Sequence, residues 1–269
     1  MEDFETSSRS RLEQEVRAAA VIASLLPVSG TVNALRTRIV RFPPVARVRS
    51  GAALVASPIA RRLIARTDHA TRLRCVRLLL PGSHGQRPSE ILAFAEFAAA
   101  RNPHRVCEIG TLTGGTSLFL TGLSPSVRQF VGIDVKIHNA RVVAALAPSA
   151  VDVVHIEGSS REVRVRDGLI AALDGNPLDL LFIDGDHEYQ GAKADLIEYR
   201  DLVAPGGLIA FHDIVQDHSL NFWSGGVPRL WREIREHFSY WEFVDDPSQD
   251  AFGIGVIEHD PEVGIDRIG

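Results

Sequence analysis

From about residue 88 onward, short continuous apolar runs alternate with stretches of helical period. Pro88 and Ser89 open a helix with Ile91, Leu92, Ala95 and Ala98 on one face, because a proline in the first turn loses no hydrogen bond. RVCEI (105–109) comes next, then a Gly/Thr-rich turn and an apolar helix around Leu118 to Leu123. The following apolar runs are QFVGI (129–133), VDVVHI (151–156), LDLLFI (178–183) and LIAF (208–211). Between them the spacing predicts helices over about 138–146, 161–173 and 188–203, the last with Ala192, Leu196, Tyr199 and Val203 on one face. Pro205-Gly206-Gly207 is expected to end that helix ahead of the strand at 208. Predominantly apolar strands separated by helices predict a parallel sheet covered on both faces.

The tail changes rhythm. Pro228 starts a helix with Leu230, Trp231, Ile234 and Phe238 inward, and YWEFV (240–244) and FGIGVI (252–257) follow. Only DDPSQDA separates those two runs, too little for a crossover helix, so they are expected to form an antiparallel hairpin at the sheet edge. The expectation is an α/β fold: a doubly wound, mostly parallel seven-stranded sheet closed by a C-terminal antiparallel hairpin. Residues 88–269 form that domain, and residues 1–87, which lack a strand rhythm, form a helical N-terminal arm or cap.

Composition narrows the setting. Cys75 and Cys107 are the two cysteines of the chain, which suits a reducing cytoplasm and excludes a disulfide scaffold. No apolar run approaches membrane-spanning length, and Met1 to Glu15 is too acidic for a secretory signal. The net charge of −5 conceals a split, since residues 1–74 hold 13 Arg and no Lys against 6 acids and the remainder is strongly acidic. An Arg-rich arm of this kind is expected to dock on the acidic domain or on a second subunit in a homodimer. Peripheral contact with an anionic membrane is less favoured, and no nucleic-acid partner is expected. Arg outnumbers Lys 27 to 2 throughout, which points to a genome-wide bias and lowers the weight of the arm's charge.

In an open α/β sheet a ligand sits beyond the carboxyl ends of the strands. The first turn reads Glu108-Ile-Gly110-Thr-Leu-Thr-Gly114-Gly115-Thr116. A nicotinamide fingerprint would need glycine at 112, where Leu112 stands, and Glu108 would repel a pyrophosphate while suiting a cofactor with an ammonium and a sulfonium. The second strand ends in Asp134, 24 residues after Gly110, a spacing that places a carboxylate on ribose hydroxyls. The third ends in Glu157-Gly158-Ser159, which could meet an adenine edge; the alternative is that Ser159 and Ser160 cap the next helix ahead of Glu162.

EIGTLTGGTS, VGIDV, IEGSS, FIDGDHEY and APGGLIAFHDI, in this order, resemble the class I methyltransferases. Within them the chain resembles the bacterial O-methyltransferases that include cephalosporin-hydroxylase-like proteins and sugar and antibiotic O-methyltransferases. The resemblance covers about residues 80–258. It implies S-adenosyl-L-methionine as cofactor, with Glu108, Gly110, Gly114, Thr116 and Asp184 at its methionine end, Asp134 on the ribose, and Gly158 and Ser159 beside adenine. It also implies methylation of a hydroxyl on a small-molecule or saccharide acceptor: a natural product, saccharide or glycolipid.

The fourth strand ends in Asp184-Gly185-Asp186-His187 and the fifth in His212-Asp213. Neighbouring parallel strands gather these carboxylates and imidazoles, and like charges so close call for a shared cation or proton. Metal-dependent relatives hold magnesium on an acid after the fourth strand and a carboxylate or amide pair after the fifth. Asp184, His212 and Asp213 are therefore expected to hold Mg2+ or another divalent metal. His212 departs from the pattern, since imidazole suits iron or zinc better than magnesium. The alternative is a metal-independent enzyme in which His212 bonds a carboxylate and His187 or Asp186 is the general base. His218, Phe222 and Trp223 belong to a loop placed to close over an acceptor, unless Trp223 anchors the hairpin. Three rival readings fit the residues less well. An NAD-dependent oxidoreductase is disfavoured by Leu112 and Glu108, and a non-haem iron oxygenase by the lack of any His-x-Asp. A non-catalytic binding module leaves the clustered carboxylates unexplained.

Overall fold

A computed structural model describes residues 61–62, 64–65, 68–80, 86–216 and 224–264. Residues 1–60 of the expected arm (1–87) and the loop carrying His218, Phe222 and Trp223 lie outside the described residues. The helices are α1 (His69–Leu79), α2 (Pro88–Ala99), α3 (Gly115–Thr121), α4 (Ala140–Leu146), α5 (Val163–Leu173), α6 (Tyr189–Tyr199) and α7 (Val227–Ile234). The strands are β1 (Arg105–Ile109), β2 (Gln129–Asp134), β3 (Asp152–Glu157), β4 (Leu178–Ile183), β5 (Val203–His212), β6 (Tyr240–Phe243) and β7 (Ile254–Glu258).

The seven strands form one sheet in the order β3-β2-β1-β4-β5-β7-β6. β1 to β5 are mutually parallel, while β7 runs antiparallel to both β5 and β6. The hairpin is thus present, with its second strand inserted against β5 and its first strand outermost. The reason is visible in the side chains: β7 is buried along almost its whole length, with Gly255 flat beneath Trp231, whereas β6 alternates exposed and half-buried positions.

One boundary differs from expectation. α6 stops at Tyr199, a 3-10 turn spans Arg200–Leu202, and β5 already begins at Val203, so Pro205-Gly206-Gly207 lies within the strand. A register shift between Leu178 and Leu180 absorbs the irregular stretch. Gly206 takes a left-handed φ of 76° and donates to the His259 carbonyl, and the His259 N–H returns to Gly207 at 2.7 Å. Such a bulge is where a sheet tolerates proline.

Alternation along the central strands divides the core in two. Val106, Phe130, Leu180, Phe182 and Ala210 face Cys75 and Val76 of α1, Phe94 of α2, Leu118 of α3 and Val143 of α4. Cys107, Val131, Leu181 and Phe211 face Val165 and Leu169 of α5, Leu196 and Tyr199 of α6, and Trp231 of α7. Among the described residues no helix is long and apolar enough to cross a membrane. The sheet's contribution to the site is alignment. Ile109 pairs with both Ile133 and Ile183, and Ile183 with Phe211, so Gly110, Asp134, Asp184 and His212 stand in a row one residue beyond.

Candidate active site

The turn after β1 is shaped by two glycines. Gly110 (φ 92°) donates to the Ile133 carbonyl, and a Cβ there would come within 2.0 Å of the Asp184 carbonyl oxygen. Gly114 (φ 80°) donates to Thr111 and caps α3. Leu112 between them also takes a positive φ, of 43°, and leaves its side chain largely exposed at the rim. This backbone is fastened by Asp134, whose Oδ2 accepts the Leu112 N–H at 2.8 Å while Oδ1 accepts the Lys136 N–H at 2.9 Å. Glu108 is fully buried and accepts a short hydrogen bond from the Ser117 hydroxyl of α3. Burial pushes its carboxyl well above the usual carboxylate range, only partly offset by Ser117.

At the end of β3, the Gly158 N–H donates to the Asp134 carbonyl, and a Cβ on Gly158 would strike Arg164 and Val165 at 2.6 Å. Ser159 donates its N–H to the Glu162 carboxylate at 2.8 Å. Its Oγ accepts the Arg161 N–H at 3.4 Å within the turn ahead of α5, whose N-cap is Glu162 and which takes no serine side-chain cap.

The clustered residues beyond β4 and β5 separate into a tight group and an outlier. Asp184, His212 and Asp213 present ligand atoms that all lie within 4.8 Å of one another. His212 Nδ1 is 3.1 Å from Asp184 Oδ1 and 3.3 Å from Asp213 Oδ2. Successive strand residues ordinarily point to opposite faces, but Asp213 adopts a left-handed φ of 62°, which swings its carboxylate back beside His212. Burial alone would lower the imidazole's pKa, yet the two carboxylates outweigh it and raise the value to about 10. His187 stands at the mouth, half-exposed, with Nδ1 3.4 Å from Asp213 Oδ2 and Nε2 3.8 Å from Asp184 Oδ1. Its carbonyl is fixed by the Gly226 N–H at 2.7 Å, and a Cβ on Gly225 would collide with that same carbonyl. Asp186 is turned elsewhere: Oδ1 accepts the Glu188 N–H and Oδ2 is paired with Arg161 at 3.2 Å.

Two contributors escaped the sequence reading. Gln86 donates to Asp184 Oδ2 at 2.9 Å and accepts the Thr116 hydroxyl at 2.6 Å, from a segment without periodicity or motif. Phe252, at a positive φ of 66°, stands 6.1 Å from the His212 ring, with the Arg87 guanidinium 5.3 Å from the centre of its own ring. The turn bearing it is held by Glu90, which accepts from Gly253 N–H and from Gln249. The adjacent Gln86-Arg87 and the strained turn are visible only once α2 and β7 are folded together.

Residues 107–214, from β1 to just past β5, match the family model of a methyltransferase domain. The matched segment, with its glycine turn and acidic strand ends, is accordingly similar to a methyltransferase domain, set in a seven-stranded α/β sheet. An uncharacterized protein, R132, of Acanthamoeba polyphaga mimivirus is 35% identical over 112 residues, covering 39% of this chain and 49% of that protein. The chain thus spans about half the length of the curated relative it matches. Among solved structures, the O-methyltransferase TomG from Streptomyces achromogenes, in complex with SAM, is 17% identical, with 75% of this chain and 93% of that chain covered and a TM-score of 0.49. The O-methyltransferase from Bacillus cereus, in complex with SAH, is 20% identical, with 76% and 97% covered and a TM-score of 0.49.

Proposed function

We propose that this chain is an S-adenosylmethionine-dependent methyltransferase acting on a hydroxyl oxygen of a small-molecule or saccharide acceptor. The observation that carries the reading is the packing of the β1 turn on β4. Gly110 lies so close to Asp184 that the glycine turn and the Asp184–His212–Asp213 group are walls of one site. S-adenosylmethionine would supply the methyl group on a positively charged sulfur. Gly110 and Gly114 keep the turn's backbone open to its methionine end, with Thr116 and Asp184 alongside, and Asp134 meets the ribose. Asp134 already orders the turn through Leu112, so its carboxylate both shapes the loop and binds.

For transfer, the acceptor oxygen must attack the methyl carbon in line with the breaking carbon–sulfur bond, whose electron pair returns to sulfur, and the hydroxyl proton must leave. Asp184, His212 and Asp213 fit a divalent cation: two carboxylates and one imidazole bring ligand atoms within 4.8 Å of one another, and like charges there need a positive partner. Such a cation would lower the acceptor's hydroxyl pKa and orient its oxygen. A second reading is favoured by the hydrogen bond from His212 to Asp184, which lets a proton serve as the positive partner. In that case His187, backed by Asp213, receives the acceptor's proton directly. Asp186, engaged by Arg161 and the Glu188 N–H, is the weaker candidate for a base.

Calorimetry tests the cofactor: S-adenosylhomocysteine should bind the wild-type chain. Asp134→Ala should weaken it by at least the ~0.5–1.5 kcal/mol of each lost hydrogen bond. Heat with NAD and none with S-adenosylhomocysteine would overturn the assignment. A manganese soak tests the metal by anomalous scattering between Asp184, His212 and Asp213. Asp213→Ala should abolish that peak while leaving cofactor affinity nearly intact. No peak at saturating manganese would leave His187 as a simple base.

A further inference from the structure

Gln86 is the one side chain among the described residues that bonds both Thr116 and Asp184. Its amide oxygen accepts the Thr116 hydroxyl at 2.6 Å, and its amide nitrogen donates to Asp184 Oδ2 at 2.9 Å. The orientation is forced, because a carboxylate can only accept and therefore requires the NH2 end of the amide. The oxygen end is then left facing Thr116, whose hydroxyl is the donor. From behind, the Gln86 backbone carbonyl is gripped by the Arg77 guanidinium of α1 at 3.1 Å, which holds the residue in place. The consequence for Asp184 is directional. With Oδ2 taken by Gln86, Oδ1 is the oxygen that faces His212 at 3.1 Å and His187 at 3.8 Å.

We propose that Gln86 is a positioning residue that transmits occupancy of the cofactor pocket to the reaction centre. Thr116 reports the pocket's state, Gln86 carries it, and the Asp184 carboxylate turns toward or away from His212 in response. The proposal rests on the methyltransferase reading, since it assumes a ligand beside Thr116. It goes beyond that reading by assigning a relay to a residue that lies outside the matched segment 107–214.

The test uses the full chain labelled with 15N-histidine, titrated with S-adenosylhomocysteine and followed by calorimetry and by histidine-ring NMR. The His212 signals are identified through their loss in His212→Gln. In the wild type, saturating ligand should shift the His212 ring resonances. In Gln86→Met, which keeps the side chain's length without its hydrogen bonds, ligand should still bind, weakened by less than about tenfold, since Thr116 and Asp184 themselves remain to meet it. The His212 shift should then disappear. Thr116→Val cuts the relay at its other end without touching Asp184 and, once calorimetry shows it saturated with ligand despite a weaker affinity, should give the same uncoupling, which covers the case of a Gln86 variant that fails to fold. Retention of the full His212 shift in either folded variant, or no His212 shift in a saturated wild type, would overturn the relay. Absence of any S-adenosylhomocysteine binding by the wild type would instead overturn the methyltransferase reading on which it stands.

Discussion

Asp195 of α6 is a carboxylate almost fully enclosed by protein, in the wall behind the Asp184–His187 loop. Burial is the main influence on it, and although Ser160 and Arg161 pull the other way its pKa is raised from 3.8 to about 6. A raised carboxyl favours folding while protonated and costs stability once ionised. The contribution is therefore full below about pH 4 and is lost as pH rises through 6. The shift of roughly two pKa units corresponds to about 3 kcal/mol at 1.36 kcal/mol per unit. Asp195→Asn should remove this dependence. Its melting temperature should exceed the wild type's at pH 7.5, and the gap should close on acidification to pH 4. Equal melting curves for both proteins across that range would show that the site tolerates the ionised form. At the same scale, the sequence revealed which carboxylates end each strand but not how they are held. Glu108 and Ser117 lie nine positions apart, and Gln86 and Asp184 ninety-eight. The first pair follows from a strand leading into a helix. The second requires knowing that the chain ahead of α2 returns over the ends of β1 and β4, which no local periodicity encodes.

The elements were more legible than their contacts. Continuous apolar runs marked β1 to β4 to within a residue or two, because β1, β2 and β4 are buried along most of their length and even the half-buried β3 keeps Val153, Val154 and Ile156. β5 was misjudged at its start because Pro-Gly-Gly reads as a terminator wherever a bulge is not known to excuse it. The turn between β1 and α3 shows what an element junction demands. Gly110 and Gly175 both adopt left-handed φ, yet a Cβ at 110 would overlap the Asp184 backbone while one at 175 would meet nothing within 4 Å. Gly175→Ala should cost only the conformational penalty of about 1–2 kcal/mol. Gly110→Ala should cost more than about 4 kcal/mol or prevent folding, because β1 and β4 must separate to admit the methyl group. Chemical denaturation of the two variants measures the difference. Similar midpoints would mean that the turn can shift without parting the strands.

At the scale of the whole molecule, the sheet is a partition with a core on either side, and each core encloses one cysteine. Cys75 lies in the helical layer formed by α1 to α4, and Cys107 faces the opposite layer from the middle of the central strand β1. Burial raises the Cys75 thiol to about 11 and pushes the Cys107 thiol higher still, so neither is a nucleophile while the fold is closed. The chain therefore carries two clocks. A disulfide reagent can modify a thiol only after the layer above it has opened, so modification times record local unfolding without any added label. Cys75 should react first, through detachment of α1, with a rate only weakly accelerated by denaturant. Cys107 should wait for the sheet itself to come apart and respond steeply. The ratio of the two rates, read by mass spectrometry, would give the free-energy gap between shedding a helix and losing the domain. Simultaneous modification at every denaturant concentration would mean that the partition and its coverings stand or fall together.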